Sequence, residues 1–272
     1  MNRDKRMSIG LFFLALFILV SLFAPWLSPF DPLQQSLSEG LAPPSAAHWL
    51  GQDKLGRDIL SRIVYGARIS LSVGVMTVSI SLSIGLAIGA AAGLFGGWVD
   101  DLLMRLVDLF LAFPGILLAI AFAAVLGPSL RNVILALSLM GWVGYARLIR
   151  GQLLVTREEE YVAAARALGA GSFRLIVRHL LPNILAPVIV EATFGMAGAI
   201  VTEASLSFLG LGVQPPSPSW GSMLSDGRSF LLLAPHLTAF PGLAIFWVVL
   251  TLNLLGDRLR DRLDVKSNLN QR

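Results

Sequence analysis

The side chains able to do chemistry in this chain are few and stand apart from one another. Glu203 lies beside Thr202, Ser205 and Ser207 in a stretch with no other charge after Glu191. A carboxylate in apolar surroundings is costly and faces a cavity or a partner. Glu203, with Ser205 and Ser207, is therefore a candidate lining for a path taken by a peptide amine or a cation, an interhelical hydrogen bond being the alternative. Gly221-Ser222 with His236 could form a serine nucleophile and base. Ser222 falls in a proline-rich loop instead of on an apolar helix, which argues against an intramembrane protease. Cysteine is absent, so disulfides, thiolate zinc sites and thiol nucleophiles are excluded. No Gly-Lys dipeptide occurs, so the phosphate-cradling Gly-x4-Gly-Lys-[Ser/Thr] loop is missing. No catalytic or metal-binding set is expected, and the chain is not expected to be an enzyme by itself.

The densest polar segment, 150–183, has helical punctuation. Thr156 with Glu159 makes a capping-box pattern, and Glu158, Glu159 and Glu160 put negative charge where a helix begins. This predicts a short helix from about Arg157. Tyr161, Ala164, Ala165 and Leu168 fall at i, i+3, i+4 and i+7, one small apolar face, and Gly169 ends it. Ser172 can cap a second helix in which Arg174 and Arg178 share a side, with Pro182 as its stop. An apolar face this small suits a groove in a soluble partner better than lipid.

The elements that must position these groups follow from composition. Of 272 residues 55% are hydrophobic and 14% charged, against about a quarter charged in soluble domains, and mean hydropathy is +0.73. The lipid bilayer is therefore the expected surrounding. About 20 apolar residues cross a hydrocarbon core, and six such stretches occur: Ser8–Leu27, Ile69–Trp98, Leu106–Gly127, Asn132–Ile149, Leu185–Val213 and Leu231–Gly256. The first ends in Ala24-Pro25-Trp26, which lacks a small-x-small cleavage pattern, so it reads as a retained helix. With the N-terminus inside, 15 of the 21 Lys and Arg residues lie on the inner side, so both termini are expected to be cytoplasmic. The pI near 10.0 is then an orientation signal, and nucleic acid is not an expected partner. Gly85, Gly89 and Gly93 form a stripe for close helix packing, either within the chain or against a second subunit. Pro114, Pro235 and Pro241 are expected bends.

Ala163-Ala164-Ala165-Arg166-Ala167-Leu168-Gly169 followed by His179-Leu180-Leu181-Pro182 resembles the EAA loop of ATP-binding cassette importer permeases. The spacing is kept, with Ala163 in place of the pattern's Glu and His179 in place of its Ile. His48-Trp49-Leu50-Gly51-Gln52-Asp53, Leu55-Gly56-Arg57-Asp58, Tyr65-Gly66-Ala67-Arg68, the run from Ala204 to Gly212, Trp220-Gly221 and Asn253-Leu254-Leu255-Gly256-Asp257 extend the likeness. Together they resemble the C-type subunit of the dipeptide, oligopeptide and nickel permease family.

The resemblance implies an all-α, six-helix type I importer permease fold with a cytoplasmic coupling helix, in a multi-pass chain of the prokaryotic plasma (inner) membrane. It implies a heterodimer with a second homologous permease and two cytoplasmic ATP-binding subunits holding ATP and Mg. An extracellular or periplasmic substrate-binding protein would deliver the cargo. Glu160, Tyr161, Ala164, Ala165, Arg166, Ala167, Leu168, Gly169, Arg174 and Pro182 would then couple to the ATPases. Trp220, Asp226 and Arg228, in the exterior segment 214–230, are candidates for docking the binding protein. The expected organisation is 1–68 as first helix and exterior loop, 69–256 as five-helix core, and 257–272 as cytoplasmic tail. Di- or oligopeptide is the expected cargo, with nickel chelate or glutathione as alternatives. An ion-coupled carrier using Glu203 is a remote rival.

Overall fold

The computed structural model describes residues 3–263; within these, the side chains of 3–7, 9, 166, 172, 173 and 177 lie outside the description. Among the described residues the secondary structure is helical, apart from one isolated bridge between Gln52 and Asp58. The helices are α1 (Arg3–Leu22), α2 (Ala24–Leu27), α3 (Ile59–Phe95), α4 (Gly97–Leu111), α5 (Gly115–Leu126), α6 (Leu130–Thr156), α7 (Glu160–Ala167), α8 (Ser172–Leu175), α9 (Leu181–Phe208), α10 (Trp220–Gly227) and α11 (His236–Leu263).

Among the described residues four helices are long and apolar enough to cross a membrane, or five if α4 and α5 count as one span. The expected six differ in two places. The third stretch, Leu106–Gly127, is not one helix: α4 and α5 meet at 83°, because Pro114 lacks the N–H that would continue the helix and caps α5 instead. The first has its apolar part at Gly10–Leu22, and the chain restarts as α2 with Pro25 in its first turn. The last helix starts at His236, one residue after Pro235, so only Pro241 is inside it. Of the expected tail, 264–272 lies outside the described residues.

The longest seam joins α3 to α6. Here the glycine stripe packs within the chain. A Cβ at Gly85 would lie 2.5 Å from the Tyr145 Cβ, one at Gly89 2.5 Å from the Ala146 carbonyl oxygen, and one at Gly93 3.0 Å from the Leu153 Cβ. Bare backbone lets two helices approach where lipid offers no hydrophobic drive. α9 packs on both α3 and α11, α1 lies on α11, and α10 wedges between α9 and α11. One apolar cluster, with Ile59, Trp220 and Leu237, gathers at the α10 end. A second, with Ile149, Leu153 and Val162, gathers at the α7 end.

Candidate functional site

At the α7 end, α6 continues through Thr156, which is buried as its last residue. The predicted start near Arg157 is corrected: α7 begins at Glu160, and the Glu159 carbonyl accepts from the Val162 and Ala163 amides at 3.0 and 3.2 Å. Val162 is fully buried against a cluster that includes Ile149, Leu153, Leu175 and Leu180, and half-buried Ala165 joins it. This contact turns the opposite side outward. Leu168 is 90% exposed and Tyr161 42%, with Glu160, Ala164 and Ala167 also exposed. Of the predicted apolar row, Ala165 alone faces inward. Gly169 (φ +83°) ends the helix, and the Ala170 amide returns to the Ala165 carbonyl at 3.0 Å, the six-to-one bond of a left-handed C-terminus.

Asn183 Nδ2 donates to the Tyr161 hydroxyl at 3.0 Å and to the His179 carbonyl at 2.6 Å, so α7 is tied to the chain leading into α9. Partial burial and the nearby Glu159 carboxylate push the Tyr161 phenol above its usual range, so its hydroxyl stays protonated while accepting from Asn183. Arg174 and Arg178 are exposed. Pro182 is not a stop: a π-helical turn, Ile176–Leu180, leads straight into α9, and Pro182 occupies the first turn of that helix, where no N–H is needed. The expected roles of the Arg166 and Ser172 side chains lie outside the described residues.

Two basic residues pin this end to the bundle. Arg157 donates from Nη1 to the Gly93 carbonyl at 3.2 Å and from Nε to Glu158 at 3.0 Å. Arg150 of α6 grips Asp100 of α4 with two bonds, 2.5 and 2.6 Å. The short-range sequence patterns gave no sign of this pair, 50 positions apart; in a chain so poor in charge, oppositely charged residues at helix ends on the same side were the available clue.

The three residues expected on a path are not brought to one surface. Glu203 is fully buried and accepts from the Ser207 hydroxyl at 2.6 Å, while Ser207 accepts from the Val213 amide at 3.0 Å. Both face the interior and hold the turn after α9. Ser205 lies on the other side, bonded to its own helix and lining a shallow apolar groove with Val201, Phe208 and Leu209.

The expected docking residues also divide. Trp220 is 2% exposed, and its indole donates to the Ile63 carbonyl at 3.0 Å. A buried ring pinned to α3 offers nothing to a docking protein, which corrects that expectation. Asp226 is partly exposed and meets Lys54 at 2.7 Å and Arg57 at 3.8 Å. Arg228 is exposed over the Phe208 ring at 5.7 Å. Ser222 has its hydroxyl committed to the Ser219 carbonyl and to the capping box of α10, and no bond joins it to His236 among the described hydrogen bonds.

Beneath Asp226 lies a buried charge cluster. Asp53 accepts from the Arg57 side chain at 2.6 Å and from the Leu55 and Arg57 amides, and Arg62 approaches it at 3.5 Å. Asp58 caps α3 through the Ser61 amide at 2.7 Å and pairs with His48 at 2.9 Å. Gly56 and Gly51, both at positive φ, supply the turns that fold this loop back. In the sequence these residues appeared only as family motifs; their i,i+4 charge spacing was the physical signal.

Residues 83–267 match the family described as binding-protein-dependent transport system inner membrane component. The chain belongs to that family. Residues 2–44 match the N-terminal transmembrane domain of oligopeptide transport permease C. A dipeptide transport system permease, DppC, of Alkalihalophilus pseudofirmus is 48% identical, covering 98% of this chain and 88% of that one. A glutathione transport system permease, GsiD, of Pectobacterium atrosepticum is 46% identical over 98% and 88%. A chain of the MetNI methionine ABC transporter, solved in an inward-facing conformation, superposes with TM-score 0.61 at 19% identity, over 75% of this chain and 97% of that one. It shows the same fold. The protein is thus a C-type permease subunit of an ATP-binding cassette importer, a multi-pass component of a bacterial inner membrane, from a family without an ATPase site of its own.

Proposed function

We propose that the chain carries di- or oligopeptides inward as half of a permease pair, with α7 as the seat of an ATPase. The observation that carries this reading is α7 itself. Val162 anchors it from below while Tyr161, Ala164 and Leu168 form an outward row, the geometry of an amphipathic helix offered to a groove.

Two ATP-binding subunits, holding ATP and Mg, would dock there and on the partner permease; a binding protein would dock at the other end, near Asp226 and Arg228. The α7 end then faces the cytoplasm. Counting α1 and the bent α4–α5 pair as crossings gives six passes with both termini inside, consistent with the placement of Lys and Arg. The first helix and its loop (1–68), the five-crossing core (69–256) and the tail (257–272) form the working parts. Closure of the ATPases would press α7, and α9 would follow through the π-helical turn, giving alternating access. Ser205, on the exposed side of α9, is the path residue this geometry favours; Glu203 and Ser207 shape the helix behind it. Glutathione, itself a short peptide derivative, is the second cargo reading, supported by the GsiD relative.

The test is Leu168→Asp in the complete transporter reconstituted in liposomes. ATPase subunits should fail to co-purify and uptake should fall at least tenfold while the permease stays folded. Normal ATPase recovery and uptake would refute the docking role. Parallel uptake of a dipeptide and of glutathione decides the cargo.

A further inference from the structure

α4 is joined to its neighbours by two bends. Before it, Gly96 and Gly97 both adopt positive φ, +62° and +54°, with open space where their Cβ atoms would be. After it comes the 83° turn into α5. A helix between two such joints takes its position from what it lies against, and α4 lies against α6 and α3, Ile84 and Ile88 of α3 joining its apolar contact; its side-chain ion pair is with α6. Near its far end Val107 packs with Trp142, Val143 and Ala146 of α6, and Phe110 meets Trp142 edge-on at 5.4 Å. Near its start the contact is the two-bonded Asp100–Arg150 pair, with side chains 15% and 32% exposed. Paired, parallel bonds between a guanidinium and a carboxylate fix orientation as well as distance. Asp100 is also in the first turn of α4, where the partial positive charge of the helix end favours it. Two turns beyond Arg150, just past the last residue of α6, Arg157 bonds to the Gly93 carbonyl of α3, and then the chain enters α7.

The geometry points to Asp100 and Arg150 as a clamp that makes α4 move with α6, so that displacement of α7 reaches α5 through the bend at 112–114. Both are positioning residues: neither is placed against cargo or nucleotide. The inference rests on α7 being the ATPase-docking helix. Without the clamp α6 still moves with α7, but α4, jointed at both ends and held only by apolar contacts that α3 shares, lags.

The experiment uses the assembled transporter in liposomes and measures cargo taken up per ATP hydrolysed, with spin labels at the exposed Leu102 and Val155 reporting the α4–α6 distance. Asp100→Asn and Arg150→Gln should each lower the uptake-to-ATP ratio about tenfold with the ATPases still bound. Their double variant should fall no further, as expected of residues acting as one unit. The label distance should stay constant across nucleotide states in the wild type and broaden in each single variant. An unchanged ratio, additive losses or an unbroadened distance would overturn the clamp. Loss of bound ATPases from the single variants would overturn it too, by showing that the pair builds the docking site instead. A wild-type chain that binds no ATPase would overturn the docking reading itself, a result distinct from a clamp that fails in a coupled transporter.

Discussion

At the α10 end Asp53, Arg57 and Arg62 are buried and face one another while buried Asp58 pairs with His48, whereas at the α7 end Leu168 stands 90% exposed above a buried Val162. The first region pairs its buried carboxylates with donors of its own chain. The second satisfies only its inner side and leaves an apolar row without a cover. Under the roles proposed above, a loop that receives a changing partner can be rigid, whereas a helix that is pushed has to offer the partner something to hold. The difference separates residues whose loss unfolds the molecule from residues whose loss merely idles it.

Arg57→Ala gives the largest expected change in stability, because it leaves the Asp53 carboxylate buried with its main partner gone. Breaking such a pair costs about 3–5 kcal/mol, read as a drop in thermal midpoint in detergent. A loss below about 1 kcal/mol would mean that the α10 end is not held by charge. Trp220→Phe keeps the ring and removes the donor to the Ile63 carbonyl, for about 1 kcal/mol, by the same assay. Lys54→Gln removes the exposed partner of Asp226 and should cost less than about 1 kcal/mol, which separates the buried part of the cluster from its rim. Leu168→Asp should shift stability by no more than about 0.5 kcal/mol while abolishing coupled uptake. If it destabilised the permease as Arg57→Ala does, the contrast between the two ends would collapse.

Much of this contrast was legible in the sequence. Leu168 and Gly169 were readable because helix periodicity and the need for a left-handed terminus are local. The glycine stripe was readable as a close approach, but only the fold shows that its partners are Tyr145, Ala146 and Leu153 of the same chain. Local patterns misled where continuity decided the outcome. Thr156 has a capping pattern yet ends α6, since Leu153 and Ile149 carry the buried side of that helix onward. Pro182 looks like a stop yet begins α9, because a proline is tolerated in a first turn. Glu203 looked like a path residue because its cost in apolar surroundings is readable from sequence, whereas the direction a side chain faces around a helix is not. Asp100 and Arg150 could not be paired from local patterns, for the reason that hides most tertiary pairs: neither has a patterned neighbour, and only the packing of α4 on α6 brings them together.

The cluster at the α10 end has one more property. Asp53 and Asp226 face Lys54, Arg57 and Arg62, and Asp58 faces His48, so acidic and basic side chains are interleaved. Opposite charges this close cancel at a distance, the more so in salt, where fields fade within about 10 Å. The cluster therefore casts little field beyond its own surface. Under the function proposed above, acidic and basic peptides arriving at this end would meet the same weak field, and the choice between them would fall to the protein that delivers them.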